Sequence, residues 1–153
     1  MCDKKIGMKM KGKVYKTAVR PAMLYGSETW AVRKAEERKM NSAEMRMLRW
    51  SCGVTRLDHV RNEHIRGTIK VTEISKKMQE RRLRWLGHVM RREADYVGRQ
   101  VLDMQVAGER RRGRPKLRWM DRLREDMREK GLTENDTQNR TRWRARTKAG
   151  DPI

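Results

Sequence analysis

Phenylalanine is absent from this chain, aromatic residues make up 5% of it, and hydrophobic residues fill only 36% of its 153 positions. An ordinary globular domain is roughly 45–50% apolar, so a thick core is excluded. What core there is must come from aliphatic side chains together with twelve Met and five Trp, and Met fills irregular gaps without specifying one packing. The two cysteines, Cys2 and Cys52, are too few for the disulfide framework that staples small secreted domains, and both read as free thiols. No run of residues approaches the ~20 consecutive apolar positions of a membrane-spanning helix. The opening Met1-Cys2-Asp3-Lys4-Lys5 lacks the apolar stretch of a signal peptide. A soluble intracellular protein is expected, with no membrane partner.

Acidic residues are also scarce: twenty Asp and Glu stand against forty Lys and Arg, a formal charge of +20 at pH 7. That imbalance is the footprint of a protein that meets a polyanion. The groups behind most enzymatic chemistry are missing with the acids. Two-metal phosphoryl or nucleotidyl transfer needs converging carboxylates, yet no Asp-Asp pair occurs, and Glu125-Asp126 sits among arginines where surface ion pairing is the plain reading. A Gly-x-Ser-x-Gly nucleophile motif is absent as well. Gly7 to Lys13 fits the opening of a phosphate-binding loop, but Val14 stands where Ser or Thr should hold Mg²⁺ and no apolar strand precedes it. Chance accounts for it better. Cys52, His59 and His64 are spaced poorly for zinc. The chain is therefore expected to be no enzyme and to carry no metal, cofactor or small-molecule substrate.

What the chain does have is helical periodicity punctuated by glycine, which predicts an all-α fold of about five or six amphipathic helices around a thin core, extended as readily as compact. A first helix is expected from about Lys13 to Tyr25, bent or interrupted at Pro21. A second runs from about Lys34 to Cys52 with Met40, Ala43, Met47, Leu48 and Ser51 on one side and Trp50 at its margin; Glu44 falls within that side and calls for an Arg or a backbone donor. Asp58 can cap a short helix through Ile65 closed by Gly67. Thr72 can cap the best-defined helix, which reaches about Arg92 and lines up Ile74, Met78, Trp85 and Val89 as an apolar seam. Val101 to Val106 reads as a helix end or a short strand. Pro115 opens a further helix with Trp119, Met120, Leu123 and Met127 on one arc and Gly131 as its stop. Thr133 and Asp136 resemble a capping box for a last helix through about Lys148.

Cations lie on these helices in order. Lys77, Arg84 and Arg91 form a stripe beside Arg81 and His88, with Arg92 at its end, so one helix offers both a dry edge and a cationic edge. Leu-Arg-Trp occurs at Leu48 to Trp50, Leu83 to Trp85 and Leu117 to Trp119, with a further Arg142-Trp143 pair. Trp beside Arg lets the indole enter a core while the guanidinium stays outside for phosphate or base stacking. The plain expectation is that every Trp is a core anchor. The triplets recur about 35 residues apart, near a helical-repeat period, but their flanks do not recur, so no solenoid is expected.

The densest positive segment is Arg110, Arg111, Arg112, Gly113, Arg114, Pro115 and Lys116. Its Arg-Gly-Arg-Pro core resembles an AT-hook, in which an extended backbone enters a narrow A·T minor groove. General phosphate contact by a basic linker is the alternative, and nuclear import a third reading. Residues 1–92 are thus expected to form one helical region, 93–115 a basic Gly-containing linker, and 116–153 a helical pair.

Several blocks together resemble a known family. Cys2 to Lys5, Val14 to Trp30, Ala43 to Trp50, Arg82 to Arg92 and Gly113 to Asp121 are similar, in the same order, to the region just after the polymerase palm of LINE-type non-LTR retrotransposon reverse transcriptases, particularly the RTE-like clade. The resemblance implies the thumb and carboxy-terminal region of a multidomain polyprotein. In that family the thumb is helical and packs along the primer-template backbone, the region beyond it helps to hold RNA or target DNA, and the palm and endonuclease lie upstream. Gly7, Ser42 and Ser51 depart from the family pattern. The implied partners are RNA or DNA, contacted mainly through phosphates, and the upstream palm, in a nuclear or cytoplasmic ribonucleoprotein; a helical docking piece and a decayed element copy are the rival readings.

Overall fold

The computed structural model describes residues 5–104, 113 and 117–152, except the side chain of Asp103. Arg110, Arg111, Arg112, Arg114 and Lys116 lie outside the described residues. The fold is all-α, and Val97 to Asp103 is helix rather than strand. Among the described residues no helix is long and apolar enough to cross a membrane. The chain divides into two compact units, the first comprising residues 1–27, 33–78 and 149–153 and the second residues 28–32 and 79–148.

In the first unit, α1 (Met8–Val14) passes through a π-helical turn (Tyr15–Val19) into α2 (Arg20–Met23). The helix starts earlier than Lys13, because Gly7 in an extended conformation ends the preceding chain and its carbonyl accepts from Met10 and Lys11. The interruption precedes Pro21. Proline lacks an N–H and crowds the carbonyl four residues back, and the widened turn, closed by the Arg20 N–H on the Tyr15 carbonyl, absorbs that crowding. The segment that mimicked a phosphate loop is thus helical, and its second glycine has a packing role: a Cβ on Gly12 would lie 2.3 Å from the Ile69 carbonyl oxygen.

The helix α3 (Lys34–Cys52) has the predicted bounds, and Gly53 stops it in the left-handed region at φ 71. Its buried face differs from the expected one. Glu37, Glu44, Met45, Leu48 and Ser51 point inward, while Ala43 and Trp50 are exposed. The apolar residues Met40, Ala43 and Met47 misplace the face because the true inner face is half polar. Glu44 is fully buried and satisfied as expected: Arg66 donates to it from 3.0 Å, the Tyr15 hydroxyl from 2.7 Å and the Ile74 N–H from 3.4 Å. The buried Ser51 hydroxyl donates to the Leu48 carbonyl at 2.9 Å, so it carries no unpaired-hydroxyl cost there. Around these groups Tyr15, Met45, Leu48, Ile65, Ile69 and Val71 form the first core.

Next, α4 (Asn62–Ile69) begins later and ends later than predicted, running through Gly67 to the left-handed Lys70. Asp58 does not cap it, because its carboxylate is taken by the Thr55 N–H at 2.6 Å and the Thr55 hydroxyl at 2.9 Å, which close a tight turn. Thr72 likewise does not cap α5 (Ile74–Met90): its N–H donates to Asp151 at 2.9 Å and its hydroxyl to the Gly150 carbonyl, while the first helical N–H of α5 is met by Glu44. Asp151 also forms a two-pronged ion pair with Arg20, at 2.6 and 2.7 Å.

The second unit contains α5 from Gln79 onward, α6 (Val97–Asp103), α7 (Trp119–Lys130), a 3₁₀ turn (Glu134–Gln138) and α8 (Arg140–Thr147). Helix α7 starts at Trp119 rather than at Pro115, and Asp121 accepts the Arg118 N–H at 3.1 Å at that start. Thr133 and Asp136 form their box on the 3₁₀ turn; Asn139 caps α8 instead, accepting the Arg142 N–H at 2.9 Å. The core joins Leu83 and Leu86 to Leu123, Met127, Leu132 and Trp143, with Trp119 and Met120 packed against it. Of the predicted seam, Ile74, Met78 and Val89 are buried and Trp85 half-buried.

Asp126 corrects the expectation of surface pairing. It is fully buried, and the equally buried Arg82 donates to it at 2.7 and 3.1 Å, with Gln79 at 3.3 Å and Arg122 at 3.5 Å. The Arg82 stem fills space that apolar side chains would otherwise take, so the acid and its arginine act as a core element. Tryptophan also divides: Trp143 is 1% exposed, whereas Trp30 and Trp50 are 50% and 68% exposed and anchor no core.

Two outcomes follow from these contacts. A Cβ on Gly87 would lie 2.3 Å from Trp143 Nε1 and 2.6 Å from its Cδ1, and the indole is held by donating to the Leu83 carbonyl at 2.9 Å. Gly87→Ala is therefore expected to destabilise the second unit by about 1–3 kcal/mol, read as a lower urea midpoint at an unchanged slope. Burial works against the Asp151 carboxylate, but the Arg20 hydrogen bonds, the Thr72 N–H and the charges of Arg20 and Lys77 outweigh it and hold its pKa at about 2. Because an unfolded Asp titrates near ~3.9, this pair stabilises the fold above that pH and the contribution fades as pH falls toward 2. Asp151→Asn should lower the urea midpoint at pH 7, with the deficit against the parent chain narrowing as pH falls from 5 to 3.

Candidate nucleic-acid interface

Within the second unit, the exposed edge of α5 and the first turn of α8 enclose a cleft of about 540 Å³. The helical repeat places Arg81, Arg84, His88 and Arg91 along α5, and Arg140 and Arg144, four apart, on α8. Trp85 and Trp143 form its apolar wall, and Glu28 supplies a carboxylate. Six cations or cation-capable side chains thus face one acid. Gly87 permits this geometry, since its missing side chain lets the Trp143 indole approach α5 closely. The Trp85 wall is steadied by Trp119, whose ring meets it edge-on at 5.0 Å, and the Trp119 N–H in turn holds the Glu28 carbonyl at 2.8 Å.

Three of the cleft arginines stand open to solvent. Arg84, Arg140 and Arg144 are exposed, and no ion pair among the described residues engages them. Arg91 lines the cleft while donating to the Thr137 carbonyl at 2.8 Å. Burial, and after it the neighbouring Arg140 charge, lower the Arg91 pKa. A smaller depression lined by Glu80, Arg84, Arg144 and Lys148 shares Arg84 and Arg144 with the cleft, so the positive surface continues past its mouth. Such an array suits an anion that spans several sites, as a phosphate backbone does.

Of the predicted binding residues, the structure brings Arg81, Arg84, His88 and Arg91 to the cleft. Lys77 falls in the first unit, where its charge acts on Asp151. Arg92 is exposed and turns over the Tyr96 ring at 5.7 Å. Gly113 is exposed at φ 150, and its cationic neighbours lie outside the described residues. Sequence reasoning missed Arg140 and Arg144. Their signal was present, because spacing of four around the Arg142-Trp143 pair puts both on one side of a helix anchored by a buried indole.

The chain is similar to an uncharacterized transposon-derived protein of Caenorhabditis elegans, with 29% identity over 130 residues that cover 82% of this chain. The chain spans 45% of that relative's length. The likeness points to a transposon origin. No protein-family model and no solved structure matches.

Glu28 opposes any anion in the cleft, and one of its carboxylate oxygens is shut from water without a hydrogen-bond partner. Glu28→Gln removes the charge at nearly constant shape. Binding of a short DNA duplex at low salt should tighten by about 0.2–1 kcal/mol, up to about fivefold, the scale of one partly screened charge. Fluorescence anisotropy of a labelled duplex measures it.

Proposed function

We propose that this chain is a non-catalytic nucleic-acid-binding region of a LINE-type, RTE-like retrotransposon reverse transcriptase, holding RNA or DNA by its phosphates in support of RNA-templated DNA synthesis by the parent protein. The observation that carries the reading is the α5–α8 cleft, where Arg81, Arg84, His88, Arg91, Arg140 and Arg144 surround a single carboxylate. Supporting it are the net charge of +20, the transposon-derived relative and the ordered blocks shared with the region after the palm. In this reading the bond-making machinery belongs to the rest of the parent, and the basic segment from Arg110 to Lys116 adds further phosphate contacts.

A second reading has one observation of its own. On α6, Val97 is 69% exposed and Val101 56%, with Met104 just beyond it at 66%. These apolar groups at helical spacing suit a helical piece that docks on a partner protein such as the polymerase palm.

Salt titration separates the two. If about six phosphates are neutralised on duplex DNA, the slope of log K against log salt is about −5, and Arg84→Ala with Arg144→Ala should flatten it by about two. A slope near zero in the parent chain would remove the nucleic-acid reading and leave the docking one.

A further inference from the structure

We propose that the first unit carries a separate pocket for single-stranded nucleic acid, in which one unstacked base lies on the Trp50 indole and its flanking phosphates meet Arg46 and Arg56. The pocket, of about 680 Å³, lies between the end of α3 and the loop that returns to α4. That volume is within the range of about 300–1,000 Å³ typical of ligand sites.

Its walls are built rather than accidental. Gly53 in the left-handed region turns the chain at the end of α3, and the Val54 N–H returns to the Arg49 carbonyl at 3.0 Å. Farther along, Arg49 donates to the Val60 carbonyl at 3.0 and 3.1 Å and to Asn62 at 2.6 Å, tying the far end of the loop back to α3. Asp58 locks the loop tip through Thr55. Hydrogen bonds therefore tie the loop at both ends and at its tip.

The contents of that rim point to a base and its phosphates. Trp50 is 68% exposed, a costly position for the largest apolar side chain unless a partner covers it. Arg46 stands one helical turn earlier on the same strip of α3, and Arg56 stands on the loop; both are exposed. Arg66 also lines the pocket, but buried Glu44 already holds its charge. The carboxylates present are Glu63 and Glu73, and Glu73 lies 4.0 Å from Arg66. Asn41 adds an amide whose oxygen has no donor, an acceptor suited to the ring N–H of a thymine or uracil base. An apolar protein partner would find little matching surface among these groups. A duplex keeps its base faces stacked, so an isolated indole in a pocket selects single strands.

Trp50→Ala and Trp50→Phe in the full chain test this, with a twelve-nucleotide oligo-dT, the matching oligo-rU and a blunt duplex of equal length as probes. Trp50→Ala should weaken single-strand binding about tenfold or more and leave duplex binding unchanged, while Trp50→Phe keeps most of the affinity. Comparing oligo-dT with oligo-rU identifies which strand chemistry the pocket prefers. Arg46→Ala with Arg56→Ala should flatten the single-strand salt slope by about 1.4. Unchanged single-strand binding in Trp50→Ala would overturn the proposal, as would an equal loss on duplex, or a salt-insensitive self-association that the substitution abolishes. Because Arg84 and Arg144 lie in the other unit, a failure here with an intact duplex salt slope leaves the α5–α8 cleft standing.

Discussion

Buried carboxylates organise both units of this protein, and the shortage of apolar residues explains why they can. A chain with 36% hydrophobic residues and no Phe lacks the bulk to fill two cores with hydrocarbon. Long arginine stems supply part of the missing volume, but a guanidinium enters a core only if an acid meets it there. Glu44 performs that function in the first unit, gathering Arg66, the Tyr15 hydroxyl and the first N–H of α5. In the second unit Asp126 gathers Arg82, Arg122 and Gln79. A buried pair adds little net stability relative to a hydrophobic one, whereas loss of one partner typically costs about 3–5 kcal/mol. The acids therefore act chiefly as selectors. In a chain with forty cations they decide which arginines go inside.

That selection shapes the surface as well. Each acid sealed in a core is an acid withdrawn from the exterior, and the arginines left outside face a surface depleted of counter-charge. On α5 the division is visible within one helical turn: Arg82 goes inside to Asp126, while Arg81 and Arg84 reach the cleft. The cation-rich cleft and the polar core are thus two consequences of the same composition. Trp143 joins them physically, because its indole packs in the core against Gly87 while neighbouring Arg140 and Arg144 stand at the cleft.

Much of the local structure was legible in the amino-acid pattern. The bounds of α3, the inward turn of Ile74, Met78 and Val89, and the α7 arc through Leu123 and Met127 follow from helical spacing of apolar residues. Legibility failed where a polar residue took a structural position. On α3, Glu44, Leu48 and Ser51 were placed on the inner face, but Glu37 and Met45 share it in place of Met40, Ala43 and Met47. Asp58 and Thr72 read as helix caps by type, yet Asp58 bonds Thr55 in a local Thr-x-x-Asp turn, and Thr72 bonds the tail at Gly150 and Asp151, which only folding brings near. The cleft was half legible for the same reason: a stripe on one helix can be computed from spacing, but the second helix that completes it is chosen by tertiary contacts.

Arginine beside tryptophan turned out to be one word with two meanings, and burial separates them. At Arg142-Trp143 the indole is inside and the guanidinium exposed; at Arg49-Trp50 the arginine is half-buried in loop hydrogen bonds and the indole is exposed. Helical phase decides, since adjacent residues lie about 100° apart and only one can face the core. On α3 the phase is set by Glu44 and Leu48, which turn Trp50 outward. An indole displaced in this way exposes apolar area beside cations instead of burying it. In a protein so poor in aromatic residues, that leaves one of its few large flat surfaces beside the groups able to hold a phosphate.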